Sequence, residues 1–142
     1  MIDDSFDLER FVRAQDAGGT YATALAELRA GAKRGHWMWF VFPQVAGLGM
    51  SATSVRYAVS GLDEARAYLA HPVLGARLIE SAEALLALGT DDAAAVLGGI
   101  DAVKLRSSMT LFARADPSRQ VFADVLRTFF GGEEDDATLA RL

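Results

Sequence analysis

Six residues, Trp37-Met-Trp-Phe-Val-Phe42, are apolar without a break and run directly into Pro43. A segment with no polar position has no face to give to water, so the rest of the chain has to wall it in. Neither a two-residue nor a 3.6-residue period can be read in it. It fits a buried strand or a buried helical turn, and the proline ends it in either case. Its helical flanks favour a short helix. A strand would need a partner, for which the alternating Val55-Arg-Tyr-Ala-Val59 would serve. The run holds four of the thirteen aromatic side chains and both tryptophans. The wider segment, Gly31 to Gln44, also holds one of the two lysines and one of the two histidines.

On either side the chain reads as amphipathic helices punctuated by glycine and proline. Asp4 or Ser5 is placed to cap a helix over about 5–16, and Thr20 one over about 21–30 that Gly31 ends. Gln44 to Ser54 reads as a loop of the length that binding loops have. Ser60-Gly-Leu-Asp63 reads as a capping box with Asp in place of Glu, opening a helix over 61–70. Pro72 suits the first position of a helix running to about Leu88. Thr90 is placed to cap a short helix over 91–97, and Asp101 one to about Ala115. Asp116-Pro117 opens a helix to Phe130, and Asp136 or Thr138 starts a last turn. The expected architecture is all-α: residues 1–142 as one compact multihelical domain of seven to eight short helices. Its Leu, Val and Phe side chains are each worth roughly 1.5–3 kcal/mol when fully buried.

Composition closes several routes to function. There is no cysteine, which excludes thiolate nucleophiles, disulfides and zinc–sulfur sites. His36 and His71 stand far apart without a carboxylate at ligand spacing, so neither a metal nor a cofactor is expected. The net charge is −5 and no basic stripe is visible, which argues against broad nucleic-acid binding but leaves room for a local cationic pocket. The acidic start, Met1-Ile-Asp-Asp-Ser-Phe-Asp7, has no basic segment leading into an apolar run, and no stretch approaches the ~18 apolar residues of a membrane span. A soluble cytoplasmic protein is the expectation. Nothing in the residues sets the oligomeric state.

The candidate chemistry lies in two clusters. Twelve of the fourteen basic residues are arginine, so Lys33 and Lys104 stand out. Lys33 and His36 are three apart and share a face if helical. With Trp37 or Trp39 beside them they suit an anionic or nucleotide-like ligand, the lysine pairing with phosphate and an indole stacking on the base. The same tryptophans also suit a core, and the same histidine a structural hydrogen bond. Gln44, just after Pro43, is able to turn its amide into a cleft or into water. In the second cluster Lys104, Ser107 and Ser108 lie at i, i+3 and i+4, with Arg106 between them. That set suits anion binding. The lysine precedes the serines, the reverse of the Ser-x-x-Lys nucleophile order. Two function classes are open. One is a small-ligand protein whose pocket is lined by Lys33, His36, Trp37, Trp39, Gln44, Lys104, Arg106, Ser107 and Ser108, with Asp63 or Glu64 as an assisting acid if it is an enzyme. The other is a non-catalytic protein-interaction domain in which the tryptophans are core.

Four blocks carry a resemblance: Phe6-Asp-Leu-x-Arg-Phe11; Lys33-x-x-His-Trp-Met-Trp-Phe-x-Phe-Pro-Gln44; His71-Pro-Val-Leu-Gly-x-Arg-Leu78; and Lys104-Leu-Arg-Ser-Ser-Met-Thr-Leu-Phe112. Together they resemble the bacterial domain-of-unknown-function family 1810, some of whose members carry a calpastatin-like label. The resemblance extends from about Phe6 to Leu142. It implies a multihelical single domain and no established reaction. A looser likeness, through Glu64-Ala-x-x-Tyr-Leu-x-x-Pro-x-Leu74, is to small helical proteins that bind or cleave ADP-ribosyl groups and riboflavin-pathway N-glycosides. It implies a ligand of the ADP-ribose or N-glycoside class, with hydrolysis as the candidate reaction.

Overall fold

The computed structural model describes residues 4–142; Met1, Ile2 and Asp3, part of the acidic start read above, lie outside the described residues. The helices are α1 Glu9–Asp16, α2 Thr20–Ala30, α3 Met38–Val41, α4 Ala52–Arg56, α5 Leu62–Ala70, α6 Leu74–Leu86, α7 Ala93–Leu97, α8 Gly99–Ala115, α9 Gln120–Phe130 and α10 Asp136–Leu139, with a 3-10 turn, Ala17–Gly19, between the first two. The expected all-α class holds. The count exceeds seven to eight because α3, α4 and α10 are single turns of four or five residues. No helix among the described residues is long and apolar enough to cross a membrane.

Helix α8 is the axis of the fold. From Ser107 to Phe112 every residue is buried, because α5, α7, α9 and α10 all pack against it. A helix enclosed on all sides cannot be amphipathic, and its small polar residues have to find partners internally; Ser107 and Thr110 do, whereas buried Ser108 Oγ has no partner among the described residues. Thr110 Oγ1 donates to the Arg106 carbonyl and accepts the Asp135 N–H. A chain of ring contacts crosses the core: Phe11 to Tyr68 at 5.2 Å, Tyr68 to Phe112 at 5.3 Å and Phe112 to Phe122 at 5.8 Å. Such pairs add to the burial of their area. Buried Gln15 seats α3 on α1: its amide donates to the Phe40 carbonyl (2.7 Å) and accepts from Arg77 (3.1 Å).

Several boundaries differ from the sequence reading, each for a local reason. Helix α1 begins at Glu9 rather than 5, because Asp7 takes a left-handed conformation (φ 53°). Asp4 still serves it, accepting from the Leu8 and Glu9 N–H groups. The apolar run is the short helix α3 and not a strand. The proposed strand partner gives Val55 and Arg56 to α4, which Ser51 caps through the Ser54 N–H. What remains of β structure among the described residues is one parallel bridge, Val45 to Val59. Helix α9 starts at Gln120, after a turn in which Asp116 accepts from Ser118.

The capping box expected at Ser60 does not form: Gly61 is the N-cap of α5 and no side chain caps it, and Ser60 meets Glu64 rather than Asp63. Glu64 is buried, accepts from both the N–H and the hydroxyl of Ser60 at 2.9 Å, and meets Arg10 at 2.9 Å. Arg10 spends its other donors on the carbonyls of Phe6, Asp7, Arg56 and Ala58, so the pair ties the chain's start to the entry of α5. Removing one member of a buried pair leaves the other charge uncompensated. Glu64→Ala is therefore expected to lose about 3–5 kcal/mol in urea unfolding, whereas Asp63→Ala stays close to the wild type.

Candidate functional site

The site segment is held by a residue outside it. Gly31 ends α2 in the left-handed conformation (φ 70°), and the Ala32 N–H returns to the Glu27 carbonyl. The Glu27 side chain then captures residues 34 to 37. Its Oε1 accepts from the N–H of Arg34 (2.8 Å), the N–H of Gly35 (2.9 Å) and the indole of Trp37 (2.9 Å). Glycine is required at 35, since a Cβ there would lie 2.9 Å from Trp37 Cδ1. The Lys33 N–H bonds the Val96 carbonyl at 2.9 Å, which fastens the segment to α7.

This arrangement separates the two tryptophans. Trp37 is 1% exposed and belongs to the core, closed to any ligand. Trp39 is half-buried and lines a cavity of about 360 Å³ together with Lys33, His36, Met38, Asp101 and Lys104, rimmed by Leu97 to Ile100. Lys33 Nζ lies 2.8 Å from one oxygen of Asp101 and also donates to the Gly35 carbonyl. Lys104 Nζ lies 3.4 Å from the other oxygen and 4.8 Å over the Trp39 ring. Two ammonium groups thus share one carboxylate, a local excess of one positive charge. An ammonium has three donors, so Lys104 keeps two of them for a ligand. The cavity also faces the start of α8, which has no side-chain cap; its first N–H groups add partial positive charge.

Four of the residues singled out from the sequence, Lys33, His36, Trp39 and Lys104, therefore meet in one place. Gln44 lies in an adjoining cleft that Trp39 also lines. Arg106, Ser107 and Ser108 do not join them. Arg106 donates to the carbonyls of Glu133 and Glu134. The single Ser107 hydroxyl proton is shared between the Val103 carbonyl and Asp135, whose carboxylate also caps α10. Ser108 is fully buried. The reason is geometric: one helical turn beyond Lys104 the shared face passes under the C-terminal segment. Glu64, read as an assisting acid, is bound to Arg10 and Ser60.

Two residues escaped the sequence reading. Asp101, read as a cap, lies inside the first turn of α8 and joins both lysines; its i, i+3 spacing to Lys104 was the available signal. Glu27 carried no signal, because its partners lie across a glycine turn. A larger concavity, about 840 Å³, runs along α6 and holds none of the candidate site residues. It is lined in part by His71, whose Nδ1 is spent on the N–H groups of Val73 and Leu74. Among the described residues no three His, Asp or Glu side chains gather as a metal site would need.

Desolvation acts to raise the Glu27 carboxyl, but the N–H donors of Gly35, Arg34 and Trp37 and the charge of Lys33 outweigh it and hold the group below the usual glutamate value. A carboxyl depressed in the folded state contributes stability that is complete above its unfolded pKa, roughly 4.3, and is lost as pH falls through the folded value. Urea unfolding of the wild type and Glu27→Gln is expected to show a wild-type advantage at pH 7 that shrinks steadily below about pH 4.3.

A solved structure, the crystal structure of the conserved hypothetical protein Rv1873 from Mycobacterium tuberculosis, is 50% identical to this chain and covers 98% of each chain with a TM-score of 0.94. No curated protein matches this chain. The family model described as "Protein of unknown function (DUF1810)" matches residues 5–142, and the chain belongs to that family.

Proposed function

We propose that this protein binds a small anionic ligand in the cavity at the start of α8. The observation that carries this is the meeting of the chain's only two lysines, 33 and 104, on Asp101 in front of an uncapped seventeen-residue helix. The protein supplies one carboxylate for two ammonium groups, and an incoming anion completes the balance. A phosphate is suited to Lys104 and the first N–H groups of α8, with His36 at the mouth. Nucleotide-like molecules, ADP-ribose and phosphorylated N-glycosides among them, carry such a group.

Binding is better supported than hydrolysis. Asp101 is engaged by both lysines and serves as their anchor. Glu64 is a structural residue, and the serines of α8 face the core or the C-terminal segment. One observation favours a second reading as an interaction domain: Ile100 and Val103, one turn apart on α8, are 77% and 61% exposed. Val103→Gln separates the two, since it removes an apolar contact surface without adding charge beside Lys104 and Val103 does not line the cavity.

Titration with inorganic phosphate, followed by backbone amide resonances, tests the proposal. The expected result is saturable shifts at Gly98 to Asp101 and His36, weakened by added salt. Lys104→Ala is expected to lower the affinity at least tenfold, the ~1.5–3 kcal/mol of a charge-assisted hydrogen bond. No shift in the wild type at millimolar phosphate or ADP-ribose overturns it.

A further inference from the structure

We infer that the second cleft lined by Trp39 takes the planar heteroaromatic part of the same ligand, with the Gln44 amide reading its polar edge. This rests on the anion reading of the first cavity and adds the other half of the molecule. The cleft has a volume of about 260 Å³. Ligand sites for molecules of this size run from roughly 300 Å³ upwards, so the cleft alone is too small for a whole nucleotide and holds only part of a ligand that also reaches the first cavity, with which it shares Trp39 as a wall.

The wall of the cleft is built by the single parallel bridge. The Val59 N–H donates to the Gln44 carbonyl and the Ala46 N–H to the Val59 carbonyl, both at 2.8 Å. Side chains alternate along such a pairing. Val45 and Val59 are buried in the core, so Gln44, Ala46 and Ala58 face the cleft. Two alanines line the cleft together with two aromatic side chains, Trp39 and Tyr57, and a lining of small and aromatic groups favours a ring over a branched or alkyl group. Met50 and Val55, 93% and 65% exposed, stand at its rim, apolar side chains that a ligand would cover.

Gln44 gives the slot its polarity. Its side-chain amide has no hydrogen-bond partner among the described residues, while its backbone is fixed by the bridge. An alkyl group would cover that amide without satisfying it, at a cost. A heterocycle that presents a donor beside an acceptor satisfies both of its groups at once, as Gln does on an adenine edge.

The test compares ribose 5-phosphate with adenosine, guanosine and uridine 5′-monophosphates by calorimetric titration, in the wild type, Gln44→Leu and Ala46→Trp. The expected result is that at least one nucleotide binds ten or more times tighter than ribose 5-phosphate, and that the ratio falls to about one in both variants. Ribose 5-phosphate binding by each variant reports that it is folded. If no nucleotide outbinds ribose 5-phosphate, or if the gain survives in both variants, the inference is overturned and the anion site stands. If neither inorganic phosphate nor ribose 5-phosphate binds the wild type, the underlying reading falls as well.

Discussion

Three N–H groups converge on one oxygen of Glu27, and the geometry of the candidate site depends on that convergence. The Arg34 and Gly35 amides lock the turn after α2, and the indole of Trp37 is drawn down into the core. With Trp37 anchored, α3 can start only one way round. Residues two apart on a helical turn point to nearly opposite sides. Trp39 is thereby left at the surface end of the segment, beside Lys104. A carboxylate that does not line the cavity thus decides which tryptophan is structural and which is available.

Helix α8 supplies the other half of the site and shows how one element serves two purposes. Its start is uncapped, and its first two turns carry Asp101 and Lys104 into the cavity. Its middle is core on every side, and there Ser107 and Thr110 fasten the C-terminal segment through Asp135. Mounting charged groups on the end of a helix whose middle is clamped by four neighbours gives them a rigid base. Lys33, 7% exposed, is fixed in the same way from the opposite element.

The fold class was legible because apolar periodicity and glycine or proline breaks recur at short intervals along the chain. Single turns such as α4 were not, since Ser51 and Ser54 read equally as loop residues. Of the candidate site, the residues Lys33, His36, Trp39 and Lys104 that line one cavity were singled out by residue type in a chain whose basic residues are otherwise arginine. The roles of Arg106, Ser107 and Ser108 were not, because sharing a helical face does not mean sharing surroundings: their turn lies under residues 133–135. The carboxylate that Ser60 meets, Glu64, stood one residue beyond the pattern's expected place, and its bonds to Ser60 and its burial against Arg10, which distinguish it from Asp63, come from the tertiary structure.

The two tryptophans have different surroundings, one anchoring the segment on Glu27 and one lining the candidate cavity. The chain has only these two, so two indole N–H resonances report on that division directly. In a titration with inorganic phosphate and then with a nucleoside 5′-monophosphate, the Trp39 signal is expected to exchange quickly with solvent and to shift on binding. The Trp37 signal, bonded to Glu27, is expected to be protected and to stay in place. A Trp37 signal that moves as much as Trp39, or a Trp39 signal that never moves while ligand binds, would contradict this division.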